Sequence, residues 1–305
     1  MKSLIIAAMA TLIFAAPLAN SSARTNSPPK HSSKHVRIVE MPANPKLPSL
    51  FIIGDSTVRN GQGIGTGGQW GWGDFLAPFF DTNRLNVVNR ALGGTSSRTF
   101  YRDQWPSVLA LLKPGDFVIM QFGHNDSSPI NDKSRARGTI PGVGDETQAI
   151  TNRLTKQYEV VHTFGWYEEK MISEARAKGA NPLVCSLIPR NEWTDGHVRR
   201  NNNDYAGWAA QVAKSENVPF LDINDIIADE YDAMGQKKVK PLFIAGAGPH
   251  TSKAGAETNA TCVVAAIKGL QPENPLMGYF SAKANEVTPA TPTIVKNGHQ
   301  SFKYN

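Results

Sequence analysis

The chain has 305 residues and a formal net charge of +6, with 32 Lys and Arg against 26 Asp and Glu. The excess positive charge lies at the two ends, because residues 48–280 carry a net charge of −1. A nucleic-acid-binding protein needs a basic face on its folded domain, so this distribution excludes that class.

The first 23 residues have the pattern of a secretory signal peptide. Lys2 is followed by an apolar run as far as Ala16, and small residues then lead to Ala23, after which we expect cleavage. Residues 24–47 are rich in Ser, Pro, Asn and Lys without apolar periodicity, which predicts a flexible linker. No other stretch approaches the roughly 20 apolar residues that span a bilayer. The sequence thus predicts an exported protein, secreted or periplasmic, without a membrane anchor.

Residues 48–280 alternate between short apolar segments and segments with helical spacing. The expected strands are residues 50–53, 86–89, 116–122, 182–187 and 218–222, and the expected helices are residues 72–80, 105–112, 160–177, 204–214 and 253–270. This alternation is typical of a parallel sheet between two layers of helices, joined by right-handed crossovers. We therefore expect one three-layer α/β/α domain of flavodoxin-like type, followed by a C-terminal extension over residues 281–305.

Two further features of the body bear on its class. Residues 126–152 are polar and contain Gly and Pro, which predicts a long loop on the substrate side of the domain. Cys185 falls in an expected strand and Cys262 in the last expected helix. Two buried free thiols are the interpretation we favour, although export leaves a disulfide open. The spacing of the two cysteines matches no zinc pattern, so we expect no metal site there.

Ser56 has the setting of a nucleophile. The apolar run from Leu50 to Ile53 predicts a buried strand, and Gly54 breaks it immediately before Asp55 and Ser56. Ligands of open α/β sheets bind at the carboxyl ends of the strands. A serine held there by a sharp turn is exposed and lies beside backbone N–H groups, whereas Gly-Asp-Ser taken alone is more often a plain turn.

Three blocks that follow Gly-Asp-Ser in the chain favour a functional interpretation of that motif, because of the order in which they occur. They are residues 89–98, reading Asn-Arg-Ala-Leu-Gly-Gly-Thr-Ser-Ser-Arg, residues 121–126, reading Gln-Phe-Gly-His-Asn-Asp, and residues 250–256, reading His-Thr-Ser-Lys-Ala-Gly-Ala. With Gly-Asp-Ser they resemble the SGNH, or GDSL, hydrolases, and in particular the rhamnogalacturonan acetylesterase group. The resemblance covers roughly residues 48–270. It implies a serine esterase that removes O-acetyl groups from a plant cell-wall polysaccharide, most plausibly rhamnogalacturonan, as a monomer without a cofactor.

The resemblance also implies roles for individual residues. Ser56 would be the nucleophile and His250 the base that takes its proton. The oxyanion hole would consist of the backbone N–H groups of Ser56 and Gly94 and the side-chain amide of Asn125. Each oxyanion residue also has a plain interpretation as a turn former, and only the matched order of the blocks favours catalysis.

Substrate-binding residues are less sharply indicated. Trp72, close after the nucleophile, either stacks on a sugar ring or packs at the start of a helix. An acidic pectin would need cationic partners for its uronic acid carboxylates. Arg98, Arg190 and Arg199 are candidates for that role, and each has a structural or solvated alternative.

One position departs from the family pattern. The family has an aspartate three residues before the histidine, and this chain has Ala247. A backbone carbonyl or another acid would have to orient His250, and Asp222, Asp225 and Asp229 cannot be told apart from sequence. Two alternatives to the rhamnogalacturonan reading therefore stay open. One is an esterase for xylan acetyl, feruloyl or aryl esters, and the other is a carbohydrate-binding pseudoenzyme.

Overall fold

The computed structural model describes residues 40–294 and 300–303. The expected signal peptide and most of the expected linker lie outside the described residues. The strands are β1 (Ser49–Gly54), β2 (Asn86–Asn89), β3 (Phe117–Gln121), β4 (Gln148–Thr151), β5 (Tyr158–Val161), β6 (Asn181–Cys185), β7 (Trp193–Thr194), β8 (His197–Val198), β9 (Phe220–Leu221), β10 (Thr291–Ile294) and β11 (Gln300–Lys303). The helices are α1 (Ser97–Asp103), α2 (Trp105–Leu109), α3 (Phe164–Ala177), α4 (Tyr205–Ser215), α5 (Ile223–Met234), α6 (Gln236–Val239), α7 (Lys253–Lys268) and α8 (Ala282–Asn285).

Five parallel strands form the central sheet in the order β2-β1-β3-β6-β9. Side chains of β1 alternate between its two faces, as strand geometry requires. Leu50 and Ile52 pack into the apolar core that contains α5 and α7, whereas Phe51 and Ile53 pack into the core that contains α1 to α4. This arrangement confirms the expected three-layer α/β/α fold. Because all five strands run parallel, the loops after β1, β2 and β3 meet at one edge of the sheet.

The predicted helix over residues 72–80 is wrong in type. The chain forms two 3₁₀ turns there, Trp72–Phe75 and Ala77–Phe79. Gly71 and Gly73 press against the backbone of Val58, where a Cβ at Gly71 would lie 2.2 Å from the Val58 carbonyl carbon. This close packing of the backbone, and not the helical spacing of the apolar residues, determines the local structure.

Three other segments differ from the sequence prediction. Residues 158–161 form β5, paired with β4 in an antiparallel hairpin that the sequence did not reveal. The helix that follows starts only at Phe164, because Thr163 caps it by accepting a hydrogen bond from the Trp166 N–H. Helix α5 was not predicted, and the expected helix over residues 105–112 is the shorter α2, preceded by α1.

The ends of the described chain contact the body. Glu40, in the expected linker, accepts hydrogen bonds from Arg59 and from the backbone N–H of Asn89, so residues from Glu40 onward are attached rather than free. Ala284 and Val287, in the expected extension, belong to the core. Cys185 and Cys262 are both buried, and neither forms a disulfide within the described part of the chain. Over residues 40–294 and 300–303, none of the helices has both the length and the apolar content needed to cross a membrane.

Candidate active site

Ser56 lies on a tight turn directly after β1. Its neighbour Asp55 accepts hydrogen bonds from the backbone N–H and the hydroxyl of Thr57, both at 2.8 Å, which fixes the turn. Gly54 is required because a Cβ there would lie 2.5 Å from the Gln121 carbonyl oxygen and 2.6 Å from a methyl group of Val58. Burial raises the pKa of Asp55 to about 6, against the hydrogen bonds from Thr57. The carboxyl end of β1 therefore presents Ser56 in one defined position.

His250 reaches this serine from the loop before α7. Its Nε2 lies 2.8 Å from the Ser56 Oγ. The loop is anchored on both sides. The Thr251 hydroxyl donates to the Trp70 carbonyl at 2.9 Å, and Ser252 caps α7 by accepting from the Gly255 N–H. The two residues predicted to be nucleophile and base are thus in hydrogen-bond contact, the geometry that proton transfer needs.

The other ring nitrogen of His250 has no acid beside it. Its Nδ1 is buried, and among the described residues it has no hydrogen-bond partner. Burial lowers the pKa of His250, the Ala247 carbonyl raises it, and the positive charge of Arg190 lowers it again. The lowered pKa favours the neutral imidazole, the form that can accept a proton.

The three aspartates that the sequence left open are engaged elsewhere. Asp222 accepts from the Ser186 hydroxyl at 2.9 Å and caps α5. Asp225 and Asp229 face Arg200, with Asp229 in a direct ion pair. The structure thus brings Ser56 and His250 together without a carboxylate hydrogen-bonded to Nδ1.

The three predicted oxyanion donors each keep an N–H that no described residue accepts. The backbone N–H groups of Ser56 and Gly94 donate no hydrogen bond to other described residues. The Asn125 amide donates one bond to the Thr95 carbonyl at 2.8 Å, which leaves its second N–H for a ligand. Gly94 has φ +88°, which favours glycine, and a Cβ at Gly93 would lie only 3.3 Å from the Ser56 Cβ. Such unpaired, fixed donors can stabilise a negative oxygen that develops beside Ser56.

Asp126 and His124 support this site, although the sequence assigned them no role. Asp126 is buried and accepts from the backbone N–H of Gly123 and from both the N–H and the hydroxyl of Ser97, which ties the loop after β3 to the start of α1. Burial raises its pKa to about 7. His124 is also buried, and neither ring nitrogen has a partner among the described residues. Burial, with the charges of Arg190 and His250, lowers its pKa to about 3, so it is neutral. The block at residues 121–126 was the only sequence signal for either residue.

The substrate-binding roles predicted for Trp72 and Arg98 are wrong, because both side chains are buried. Trp72 is fully buried, and its Nε1 donates to the Gln121 side chain at 2.8 Å, so it packs in the core and cannot stack on a sugar. Arg98 is also fully buried. It forms a two-bond ion pair with Glu159 at 2.7 Å and donates to the carbonyls of Ile130 and Gly138. Arg98 therefore holds the long loop and the β4–β5 hairpin in place.

The remaining arginine candidates differ from one another. Arg199 is exposed and paired with Glu192 on the β7–β8 hairpin. Arg190 lies at the site, where a Cβ at Gly248 would be 3.6 Å from its Nη1. No group of three His, Cys, Asp or Glu side chains in the described part of the chain could hold a metal ion.

Comparison with known proteins agrees with this arrangement. Residues 52–257 match the model of the GDSL-like lipase/acylhydrolase family. The chain is 30% identical over 221 residues to a rhamnogalacturonan acetylesterase of Emericella nidulans, covering 72% of this chain and 84% of that protein. It is also 30% identical over 226 residues to a probable rhamnogalacturonan acetylesterase, YesY, of Bacillus subtilis, covering 72% of this chain and 93% of that one.

One solved structure gives a likeness at the level of the backbone. The crystal structure of the protein YxiM of Bacillus subtilis superposes with a TM-score of 0.59 and 25% identity over 73% of this chain. The present chain spans only 56% of the length of that protein.

Proposed function

Because the chain belongs to the GDSL-like lipase/acylhydrolase family and is a carboxylic ester hydrolase, we propose that it removes O-acetyl groups from a plant cell-wall polysaccharide, namely rhamnogalacturonan. Two relatives at 30% identity are named as rhamnogalacturonan acetylesterases, which supports this substrate. The signal-peptide pattern of residues 1–23 supports export to the periplasm or the medium.

The contact between Ser56 and His250 is the observation that carries the proposed chemistry. The Ser56 Oγ attacks the acetyl carbonyl carbon while its proton passes to His250 Nε2. The carbonyl oxygen becomes an oxyanion, which the N–H groups of Ser56 and Gly94 and the Asn125 amide stabilise. The carbon–oxygen bond to the sugar then breaks, and His250 returns the proton to the departing sugar hydroxyl.

The second half of the reaction repeats these steps with water. His250 takes a proton from a water molecule, the resulting hydroxide attacks the acetyl group on Ser56, and the same donors stabilise the new oxyanion. The bond to Ser56 Oγ breaks and the serine recovers its proton, which releases acetate. Each half needs His250 neutral at its start, as its lowered pKa provides.

Acetate release from a panel of purified polymers tests the substrate. We expect the highest kcat/KM with acetylated rhamnogalacturonan, compared with acetylated homogalacturonan and acetylated xylan of equal acetyl content. A preference for xylan, or turnover confined to aryl acetates, would contradict the proposal and favour the other ester classes. A Ser56→Ala sample in each reaction measures the background.

A further inference from the structure

An open groove of about 400 Å³ extends from the oxyanion hole across the loop after β3. It begins at Gly93 and Gly94, and it is lined further out by side chains of α1, of the loop and of the β4–β5 hairpin. Its charged lining residues are Arg102, Asp103, Arg135 and Arg137. Because Gly93 contacts Ser56, a sugar whose acetyl group reaches the serine would have its neighbour in this groove.

Two guanidinium groups converge on Gly94. A Cβ built there would lie 3.4 Å from Nη1 of Arg135 and 3.7 Å from Nη1 of Arg137. Arg137 donates to the Gly94 carbonyl at 2.8 Å and to the Ser128 hydroxyl at 3.0 Å. Two positive charges are thus placed at the entrance of the groove. They lie at Gly94, which directly follows Gly93, the residue beside Ser56.

The loop that carries the two arginines is built to hold them there. The Asp132 carboxylate accepts hydrogen bonds from the backbone N–H groups of Ser134, Arg135 and Ala136, at 3.2, 2.7 and 2.5 Å. Ala136, between the two arginines, is buried and has φ +43°, a left-handed conformation that is uncommon outside glycine. These contacts fix the backbone of the loop at both arginines.

Among the described residues, neither Arg135 nor Arg137 forms an ion pair with a carboxylate. Arg102 is paired with Asp103 and Glu159 and contributes no free charge. The Arg135 side chain is exposed and forms no ion pair or hydrogen bond with other described residues. The Arg137 side chain binds only neutral oxygens. Burial and the neighbouring charge of Arg135 lower the pKa of Arg137, against the charges of Asp55, Asp126 and Asp132, which raise it.

We propose that Arg135 and Arg137 bind the carboxylate of a uronic acid residue adjacent to the acetylated sugar. The inference rests on the proposed function, and it names the residues that would select an acidic polysaccharide over a neutral one. Guanidinium groups bind carboxylates through paired, charge-assisted hydrogen bonds and do so more strongly than they bind neutral oxygens. Arg135 provides the unpaired guanidinium, and Arg137 fixes one edge of the site on the Gly94 carbonyl.

Inhibition by an unacetylated oligosaccharide tests this site without requiring that the polymer be a substrate. The probe is trigalacturonate, measured as a competitive inhibitor of p-nitrophenyl acetate hydrolysis, with the neutral trisaccharide of galactose as its counterpart. We expect wild-type protein to bind trigalacturonate more tightly than the neutral sugar. Arg135→Gln should weaken trigalacturonate binding about tenfold, the worth of one charge-assisted hydrogen bond, and leave the neutral sugar unaffected.

Lys133→Gln is the matched control, since it removes the same charge from the same loop at an exposed residue that does not line the groove. Equal inhibition by the two sugars in wild-type protein would overturn the proposal. So would an equal loss in Lys133→Gln, which would indicate attraction by the general field of the loop. Failure of the proposed function would show separately, as absence of acetate release from acetylated rhamnogalacturonan.

Discussion

The Ser56 Oγ lies 2.8 Å from the His250 Nε2, although 194 residues separate the two in the chain. Backbone hydrogen bonds explain this contact, because the Trp70 N–H donates to the Thr251 carbonyl and the Trp72 N–H donates to the Thr57 carbonyl, which ties the loop before α7 to the turn after β1. The pair stands without the acid that usually completes it, since the buried Nδ1 of His250 has no partner among the described residues. Proton transfer in this site therefore depends on two side chains and on the fixed N–H donors around them.

Replacing either member of the pair should abolish ester hydrolysis and leave the fold intact. Ser56→Ala removes the attacking oxygen and His250→Ala removes the proton acceptor, and neither side chain belongs to the apolar core. Steady-state hydrolysis of p-nitrophenyl acetate measures activity, and thermal unfolding measures stability. His197→Ala is the matched control, because His197 is exposed on the β7–β8 hairpin and pairs with Asp232. Wild-type rates in either site variant would show that the wrong nucleophile or base has been named.

Asn125→Ala should lower kcat by about 10²–10³, the usual loss for one oxyanion donor. The Asn125 amide has one N–H on the Thr95 carbonyl and the other available for a ligand. An interaction made mainly in the transition state affects kcat, whereas one made with the ground state affects KM. Both constants should be measured on the same acetyl ester. A rise in KM with unchanged kcat would mean that Asn125 binds the substrate and does not stabilise the oxyanion.

The backbone around the site was largely predictable from sequence. Residues 86–89 form a strand with the expected bounds, and the blocks after β1, β2 and β3 were expected at one edge because their strands are parallel. The signal there is local, since a short β-branched run ends at a glycine whose replacement would clash. At Gly54, for example, a Cβ would lie 2.5 Å from the Gln121 carbonyl oxygen.

Side-chain burial was not predictable in the same way. Arg98 ends the block at residues 89–98 and Trp72 follows Ser56 closely in the chain, but position along the chain could not tell that both side chains are fully buried. The hydrogen bonds that decide the matter join Trp72 to Gln121 and Arg98 to Glu159, across 49 and 61 residues. Arg135 and Arg137 were missed for the opposite reason. They lie in an irregular loop without periodicity, and only the fold brings them to Gly94.

Removing Arg98 should destabilise the protein by about 3–5 kcal/mol, the usual loss when one partner of a buried ion pair is deleted. Arg98→Met keeps most of the apolar stem but removes two hydrogen bonds to the Glu159 carboxylate and the donor of the carbonyls of Ile130 and Gly138. Chemical denaturation measures the free energy of unfolding. Arg102→Met is the control, because Arg102 binds the same glutamate at 3.4 Å from a partly exposed position. This variant should lose less than about 1 kcal/mol of the free energy of unfolding. Equal losses in the two variants would show that burial of Arg98 does not matter.

The pH dependence of kcat/KM should reflect the lowered pKa of His250. The base must be neutral to accept the serine proton, so activity falls as pH falls through this pKa. Burial and the charge of Arg190 both lower it, and we therefore expect the acid limb of the profile below 6.5, the ordinary value for histidine. Arg190→Gln removes a positive charge, which makes the imidazolium easier to form and should move the limb to higher pH. An unmoved limb would show that Arg190 does not act on the base. Arg199→Gln, at an exposed pair with Glu192, is the control.

Ala247→Asp should raise kcat with little change in KM. The family pattern has an aspartate at this position. Here the Ala247 carbonyl raises the pKa of His250, but it carries no charge that could stabilise an imidazolium. A carboxylate near Nδ1 would fix the tautomer that leaves Nε2 free to accept the serine proton, and its effect would grow as charge develops on the ring. We expect a gain of at least about tenfold, well below the roughly 10⁴-fold loss seen when a complete triad loses its acid. The acid limb should also move to higher pH, because a carboxylate raises the pKa of a neighbouring histidine.

Ala247→Asn is the matched control, since its amide oxygen can accept the Nδ1 proton without adding charge. If Asn gives the whole gain, the tautomer limits the wild-type rate, and if only Asp does, the missing charge limits it. An unchanged or lower kcat in a folded Ala247→Asp protein would contradict both, because Gly246 and Gly248, at φ +70° and +65°, would then hold position 247 out of reach of the ring.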